Sequence, residues 1–362
     1  MKVGIVGLPN VGKSTLFNAL TKSYAAEAAN FPFCTIEPNV GIVNVHDDRL
    51  EILRSTINGA KTVPANVEFV DIAGLVEGAS KGEGLGNKFL SHIRQVDAIL
   101  QVVRGFSDSN VHHVSGSVNA KRDIEIINTE LIIADLETLE KRMGDNDKKI
   151  RAGDKEAKAK QEIYVRLKPH LESGKLACLL EKTDEEALLL RDLFLLTNKP
   201  FVYAVNVDEA SVNESEAKLR ELTGITDASI PVLPISAKME LDMMEFSAED
   251  RIEYMKDLGI LENPTDILIK KCYDLLGLQY YFTAGEIEVR AWTVRKGAKA
   301  PEAAGVIHTD FEKKFIKADV VNWNDLVQSG GWSKARENGY VRMEGKEYIV
   351  QDGDVMLFKF GA

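Results

Sequence analysis

The sequence predicts a mixed α/β protein with a parallel sheet covered by helices, an inserted pair of long helices and a C-terminal domain rich in strands. Three observations lead to this prediction. Short apolar runs alternate with helical patterns in the first part of the chain and again near residues 200–235. A long segment between them combines helical periodicity with many charges, and after about residue 277 apolar residues alternate with polar ones.

Five apolar runs are candidates for buried strands. They are residues 2–7, 67–72, 98–103, 200–205 and 231–235. The first run, KVGIVG, leads through a glycine turn into KSTLFNALTK, in which the apolar residues have helical spacing. Apolar strands that alternate with helices imply a parallel sheet with both faces covered.

The middle of the chain predicts two long helices that form an antiparallel hairpin, inserted at residues 120–198. Two apolar stripes with helical spacing support the hairpin: Ile132, Leu136, Leu139 and Met143, then Ile163, Leu167 and Leu171. The stretch between the stripes is almost entirely polar. A binding arm and a solvated charged arm without a binding role both remain open.

The composition argues against several classes of protein. The chain has 362 residues, with 45 Lys and Arg against 56 Asp and Glu, and this net charge of −11 argues against a nucleic-acid coat and against stable DNA binding. The three cysteines are far apart and form no zinc-binding pair, as expected of reduced cytosolic thiols. No apolar run approaches the ~20 residues of a membrane span, so we expect a cytoplasmic protein without a membrane partner.

The acidic excess is concentrated in one part of the chain. Residues 197–277 carry 8 basic and 16 acidic residues, whereas residues 128–196 carry 13 and 15 and residues 278–362 carry 12 of each. The latter two segments contain basic clusters: Lys148, Lys149 and Arg151, and Lys313, Lys314 and Lys317. Each cluster is either a candidate for RNA contact or a solvated face.

Residues 7–14 read GLPNVGKS, which matches the phosphate-loop pattern GxxxxGK[ST] in full. The motif lies directly after a predicted strand and before a predicted helix, which is the context that it requires. Gly7 and Gly12 let the backbone curl so that successive N–H groups face a phosphate at the helix N-terminus. Lys13 is expected to reach the β- and γ-phosphates, and Ser14 to offer its hydroxyl to Mg²⁺.

A second motif follows the strand at 67–72. Asp71 and Gly74 form a DxxG pattern, in which Asp71 is expected to hold Mg²⁺ through a water and the Gly74 N–H to meet the γ-phosphate. Thr35, between the two motifs, is the candidate for completing the Mg²⁺ shell. Residues 74–89 contain five glycines and are interpreted as a mobile switch that responds to the γ-phosphate. The catalytic candidates are Lys13, Thr35 and Gly74.

The base-recognition motif departs from the NKxD pattern of GTPases. The strand at 200–205 runs into Asn206-Val207-Asp208-Glu209, so that Val207 replaces Lys and Glu209 stands where Asp is expected. The longer side chain misplaces the carboxylate that would recognise guanine, which relaxes discrimination against ATP. Using Asp208 instead would require a one-residue deletion and is the weaker alternative. Ser236 begins a SAK sequence that is expected beside the base.

With these motifs the sequence closely resembles the YchF subfamily of the Obg-like ATPases over essentially the whole chain. The resemblance implies a Ras-like P-loop nucleotide-binding domain at 1–119 and 199–277, the helical hairpin at 120–198 and a ubiquitin-like TGS domain at 278–362. It further implies Mg²⁺-dependent hydrolysis of ATP in preference to GTP, and binding to the large ribosomal subunit. Phosphate ligands carried over by position are Asn10, Val11, Gly12, Lys13, Ser14 and Thr15. Asn206 and Val207 fall near the base, and Ser14 and Thr35 fall on Mg²⁺.

Several functional questions stay open at the level of sequence. Leu75 occupies the position at which Ras-type enzymes carry a water-orienting Gln, so intrinsic turnover is expected to be slow. Asn10 is either a ligand that helps to hold K⁺ against the phosphates or a residue that stabilises the loop. The main hypothesis is a ribosome-associated ATPase switch. The alternatives are a nucleotide-gated RNA or ribosome adaptor in which hydrolysis is incidental, and a true GTPase. The oligomeric state is undetermined.

Overall fold

The computed structural model describes residues 1–23, 39–72, 85–106 and 118–361. The chain forms two compact units. Among the described residues, the first unit comprises 1–23, 39–41, 68–72, 85–106 and 118–268, and the second comprises 42–67 and 269–361. Within the described ranges, no helix combines the length and the apolar character that crossing a membrane requires.

The part of the chain that the structure describes contains both strands and helices, with runs of consecutive helices at 120–190 and 237–275. The strands are β1 Lys2–Val6, β2 Val40–Asn44, β3 Thr62–Val63, β4 Asn66–Asp71, β5 Ala98–Arg104, β6 Phe201–Asn206, β7 Val232–Ile235, β8 Leu278–Ala284, β9 Val289–Arg295, β10 Phe315–Asn322, β11 Arg342–Glu344 and β12 Asp354–Phe360. The helices are α1 Lys13–Ser23, α2 Asp48–Ile57, α3 Leu85–Arg94, α4 Ala120–Arg151, α5 Lys155–Glu172, α6 Asp184–Leu190, α7 Glu216–Thr223, α8 Ala237–Met243, α9 Ala248–Asp257, α10 Pro264–Leu275, α11 Ala300–Ile307, α12 Thr309–Lys313, α13 Trp323–Ser329 and α14 Trp332–Glu337.

The sheet that carries the predicted motifs has the strand order β2-β4-β1-β5-β6-β7. The five predicted apolar runs form β1, β4, β5, β6 and β7, which pair in parallel. β5 and β6 are buried along their entire length, as expected of central strands covered on both faces. The register pairs Ile5 with Asp71 and Arg104 with Asn206, so the carboxyl ends of these strands lie at one edge. Ligand sites of open α/β sheets are found at this edge.

The predicted helical hairpin is present as α4 and α5. The turn between them contains Gly153 at φ +89°, and Asp154 caps α5 by accepting a hydrogen bond from the Ala157 N–H. Near the turn, Asn146 donates to the carbonyl of Ala157 at 2.5 Å. The predicted stripe residues of α5 are buried, and in α4 Ile132 and Leu139 are buried as well.

A buried carboxylate anchors α4 to the chain segment that leads into β6. Asp135 is 1% exposed and accepts hydrogen bonds from the N–H groups of Leu196 and Thr197, each at 2.7 Å, and from the Thr197 hydroxyl at 2.6 Å. Three donors satisfy the carboxylate, which offsets the cost of burying it. This contact fixes the base of the inserted hairpin relative to the strand that carries the base motif.

The second unit contains the β-rich C-terminal residues and has the strand order β11-β10-β12-β8-β9-β3. The predicted alternation at 282–294 and 350–359 corresponds to β8, β9 and β12. The core of this unit is formed mainly by the sheet and α11, and Tyr281 donates from its buried hydroxyl to the carbonyl of Ala303 at 2.8 Å. The mixed α/β fold with a helical insertion and a β-rich C-terminus is therefore confirmed.

Residues 42–67 lie in the second unit, whereas the sequence predicts them as part of the nucleotide-binding domain. Two contacts explain this placement. Arg49 binds Asp47 and Asp352 with two nitrogens, each at 2.8 Å, and the two-residue strand β3 pairs with β9. The contacts with Asp352 and β9 join residues that are far apart in the sequence. The domain boundaries at 119/120, 198/199 and 277/278 stay predictions.

Candidate nucleotide-binding site

The phosphate loop between β1 and α1 depends on its glycines. Gly12 has φ +96°, a conformation that favours glycine, and a Cβ there would lie 2.3 Å from the Asn206 amide nitrogen. At Gly7 a Cβ would lie 2.6 Å from the carbonyl oxygen of Val102. The loop thus packs against β5 at Gly7 and against Asn206 at Gly12, and a side chain at either position would displace the loop backbone. Asn10 has φ +63°, and Asn is one of the few other residues that tolerate this region.

Lys13 is the first residue of α1 and is 8% exposed. Its ammonium group donates to the carbonyl of Leu8 at 3.0 Å, so the side chain lies across the phosphate loop. Burial lowers the pKa of Lys13, and the negative charge of Asp71 partly opposes this effect. A desolvated ammonium group beside a helix N-terminus favours a bound anion, because both features supply positive potential.

Ser14 and Asp71 are brought together as the sequence predicts. The Ser14 hydroxyl donates to Asp71 Oδ2 at 3.2 Å. The other carboxylate oxygen, Asp71 Oδ1, is buried and has no hydrogen-bond partner in the structure that is described. A buried carboxylate oxygen without a donor, next to a hydroxyl oxygen, fits a hard divalent cation such as Mg²⁺. The donor set therefore fits the metal that the phosphate loop implies.

The remaining phosphate-side predictions divide into two groups. Val11 and Thr15 lie within the described loop and the first turn of α1, where Val11 is buried and Thr15 is half-buried. Thr35, Gly74 and Leu75 lie outside the described residues, as does most of the glycine-rich segment at 74–89. Their predicted roles in the Mg²⁺ shell and in hydrolysis stay predictions.

Asn206 connects the phosphate loop to the base side of the site. Its amide nitrogen donates to the carbonyl of Val11 at 3.0 Å, and its amide oxygen accepts from the Ala237 N–H at 3.0 Å. Asn206 is 5% exposed. These two contacts engage both ends of the amide, so Asn206 fixes the phosphate loop to the start of α8. Its place beside the base stays a prediction, and the bond to Val11 spans 195 residues and follows only from the fold.

The other base-side residues frame the same edge of the sheet. Val207 is 6% exposed, and its N–H donates to the carbonyl of Ile235 at 2.8 Å. Ser236 is 2% exposed and caps α8 by accepting from the Met239 N–H, so its hydroxyl shapes the SAK loop. Asp208, the alternative guanine ligand, is exposed.

Glu209 is the base-side residue whose surroundings the sequence did not predict. The Tyr254 hydroxyl donates to Glu209 Oε2 at 3.1 Å, and the ammonium of Lys238 lies 3.9 Å from Oε1. Tyr254 belongs to α9 and is separated from Glu209 by 45 residues. No motif or spacing in the sequence marks it, since its position depends on how α9 packs.

Phosphate loops of this construction, with an acidic residue at the end of the neighbouring strand, belong to P-loop nucleotide hydrolases, and this chain is one. Residues 2–137 match a family described as 50S ribosome-binding GTPase, and residues 278–361 match the C-terminal family of YchF GTPases, described as a protein of unknown function.

Full-length relatives extend this result. The Bacillus subtilis protein named Ribosome-binding ATPase YchF is 56% identical, with 99% of each chain covered. The Caenorhabditis elegans protein named Obg-like ATPase 1 is 45% identical, over 100% of this chain and 92% of the relative. The solved structure of the Schizosaccharomyces pombe YchF GTPase has a TM-score of 0.88 at 39% identity, with 99% of this chain and 97% of that chain covered. The chain belongs to the YchF family.

A Gly12→Ala substitution tests the loop geometry. The added Cβ displaces the Asn206 amide and strains the backbone, which we expect to weaken nucleotide binding about 100-fold through the loss of two buried hydrogen bonds and the cost of the left-handed conformation. Calorimetric titration with nucleotide and Mg²⁺ measures the change. The control is Gly144→Ala in α4, where a Cβ meets nothing within 4 Å, and its nucleotide affinity should equal that of the wild type. Unchanged binding by the Gly12 variant would contradict the proposed packing.

Proposed function

We propose that this chain binds ATP in preference to GTP, hydrolyses it with Mg²⁺ and associates with the ribosome, through the large subunit, as a regulatory switch. The observation that carries the hydrolytic part is the buried Asp71 Oδ1, which has no hydrogen-bond partner among the described residues, on the carboxylate that accepts from the Ser14 hydroxyl beside the phosphate loop. The ribosomal part rests on the names of the relatives and on the 50S description of the matching family. We expect the protein to work in the cytoplasm.

Different residues of the site are proposed to bind the phosphates, to hold Mg²⁺ and to sense the γ-phosphate. The loop from Asn10 to Thr15 binds the phosphates with its N–H groups, and Lys13 places a positive charge beside them. Ser14 and Asp71 would hold Mg²⁺, with Thr35 as a further ligand. When bound, Mg²⁺ supplies positive charge to the β- and γ-phosphate oxygens. Gly74 is proposed to sense the γ-phosphate, and Leu75 cannot orient water, which supports a slow basal rate.

The preference for ATP rests on the base side. Val207 replaces the Lys of the guanine motif, and the Glu209 carboxylate is engaged by Tyr254 and lies near Lys238. A guanine would have to compete with these contacts, and an unpaired buried polar group carries a large penalty. The names of the relatives include both ATPase and GTPase, so affinity measurements on this chain decide between ATP and GTP.

Titration of the purified chain with ATP and with GTP, each with Mg²⁺, tests the nucleotide preference. We expect the Kd for ATP to be at least about tenfold lower, the equivalent of one hydrogen bond to a charged group. Lys13→Ala serves as the control and should lose affinity for both nucleotides. An equal or lower Kd for GTP would identify a GTPase and refute the proposed preference.

Ribosome binding is proposed to involve the hairpin. Lys149 and its basic neighbours are exposed at the end of α4, next to the turn of the hairpin. We expect Lys149→Glu to weaken binding to purified large subunits several-fold and to lower the slope of log K against log salt by about 1, because one phosphate contact is lost. Lys175→Glu, an exposed lysine after the far end of α5, is the matched control. Equal effects of both substitutions would favour a solvated arm.

The K⁺ hypothesis concerns Asn10. Asn10 has φ +63°, so the contribution of this backbone conformation and the contribution of the amide must be tested separately. Asn10→Gly keeps the turn, since glycine adopts this φ readily, and removes the amide. If the amide holds K⁺, ATPase rates should be higher in K⁺ than in Na⁺ for the wild type and equal for the variant. Equal wild-type rates in the two salts would rule the cation out.

A further inference from the structure

The Glu209 carboxylate is engaged on both oxygens. Oε2 accepts a hydrogen bond from the Tyr254 hydroxyl at 3.1 Å, and Oε1 lies 3.9 Å from the Lys238 ammonium. The Glu209 side chain is 34% exposed, whereas that of Lys238 is 81% exposed. The lysine contact is therefore a weak surface ion pair, and the tyrosine contact is the directional one.

Packing fixes Tyr254 in this position. Ser247 caps α9 by accepting from the Asp250 N–H, and Arg251 donates to the carbonyl of Met243 at 2.7 Å, which ties α9 to the end of α8. The Phe246 and Tyr254 rings meet edge to face at 5.3 Å. The inner side of α9 packs on a buried cluster. The cluster consists of Val212, Met239, Met243 and Ile260, with Tyr254, Met255 and Leu258 against it.

The Tyr254 hydroxyl acts as a donor. Burial and the neighbouring Glu209 carboxylate raise the pKa of Tyr254 above its ordinary value, so the phenol keeps its proton at neutral pH. A protonated phenol and an ionised carboxylate form a charge-assisted hydrogen bond, which is stronger than one between neutral groups. The contact therefore restrains the carboxylate.

The restraint matters because of the chemistry of the two bases. Guanine presents two adjacent N–H donors, and a carboxylate recognises them by accepting one bond on each oxygen. Adenine presents an acceptor at the corresponding ring nitrogen and gains nothing from a carboxylate there. A Glu209 carboxylate released from Tyr254 is thus free to favour guanine, whereas a restrained carboxylate is not.

We propose that Tyr254 is a positioning residue for nucleotide selectivity, which holds the Glu209 carboxylate away from guanine and thereby weakens GTP binding relative to ATP binding. The inference rests on the proposed function, since it assumes that the base lies beside Asn206 and Glu209. It assigns selectivity to a helix outside the recognised motifs.

Tyr254→Phe tests this role, because it removes the hydroxyl and keeps the ring on its cluster. We expect the ratio of Kd for GTP to Kd for ATP to fall about threefold to tenfold, the value of a net hydrogen bond, with the Kd for ATP within about twofold of the wild type. Non-hydrolysable analogues of ATP and GTP with Mg²⁺ are the probes. Tyr340→Phe in the second unit, where the side chain is exposed, is the control and should leave both values unchanged.

A second variant separates positioning from a structural effect. In a Glu209→Gln background there is no carboxylate to release, so adding Tyr254→Phe should leave the ratio unchanged. An unchanged ratio in the single variant would overturn the proposal, as would an equal loss of affinity for both nucleotides or a shift that persists with Glu209→Gln. The wild-type ratio tests the nucleotide preference, and the shift on removing the hydroxyl tests Tyr254, so the two can fail independently.

Discussion

The two hydrogen bonds of the Asn206 amide are the interaction on which the nucleotide-binding site depends. One binds the carbonyl of Val11 in the phosphate loop and the other binds the first N–H of α8. They are possible only because Gly12 leaves room for the amide. The loop at 7–14 and the start of α8 are therefore fixed to a single buried side chain, and neither can shift without breaking a hydrogen bond shielded from water.

The sheet order brings these parts together. β1, β4, β6 and β7 each end at the same edge, so Lys13, Asp71, Asn206 and Ser236 converge although the sequence separates them widely. Parallel pairing with helical crossovers is what makes this possible, because every crossover returns the chain to the opposite edge. The hairpin is inserted between β5 and β6 and is anchored at Asp135, which leaves this edge intact.

Features with a local signal could be predicted from the sequence. The apolar runs correspond to five strands, and the glycines with Lys13 and Ser14 identified the phosphate loop. Features that depend on distant contacts could not be predicted. β2 was not predicted, because it has only five residues and follows closely on the stretch that contains the candidate switch threonine. Arg49 belongs to the second unit through its contact with Asp352, which is 303 residues away in the sequence. The position of Tyr254 beside Glu209 could not be predicted either, because it depends on how α9 packs.

Two carboxylates of the acidic segment at 197–277 make contacts within the fold that bear on the charge of this segment. Glu240 is 3% exposed and accepts from the Thr265 hydroxyl at 2.5 Å, and burial raises its pKa to about 7, so a part of it is uncharged at neutral pH. Glu209 is engaged by Tyr254 and Lys238. Glu240 therefore carries less than its formal charge, whereas the Glu209 side chain is 34% exposed and has Lys238 as a neighbour. The lysines beside the turn of the hairpin are exposed, and these are the positive charges that this chain offers to a polyanionic partner.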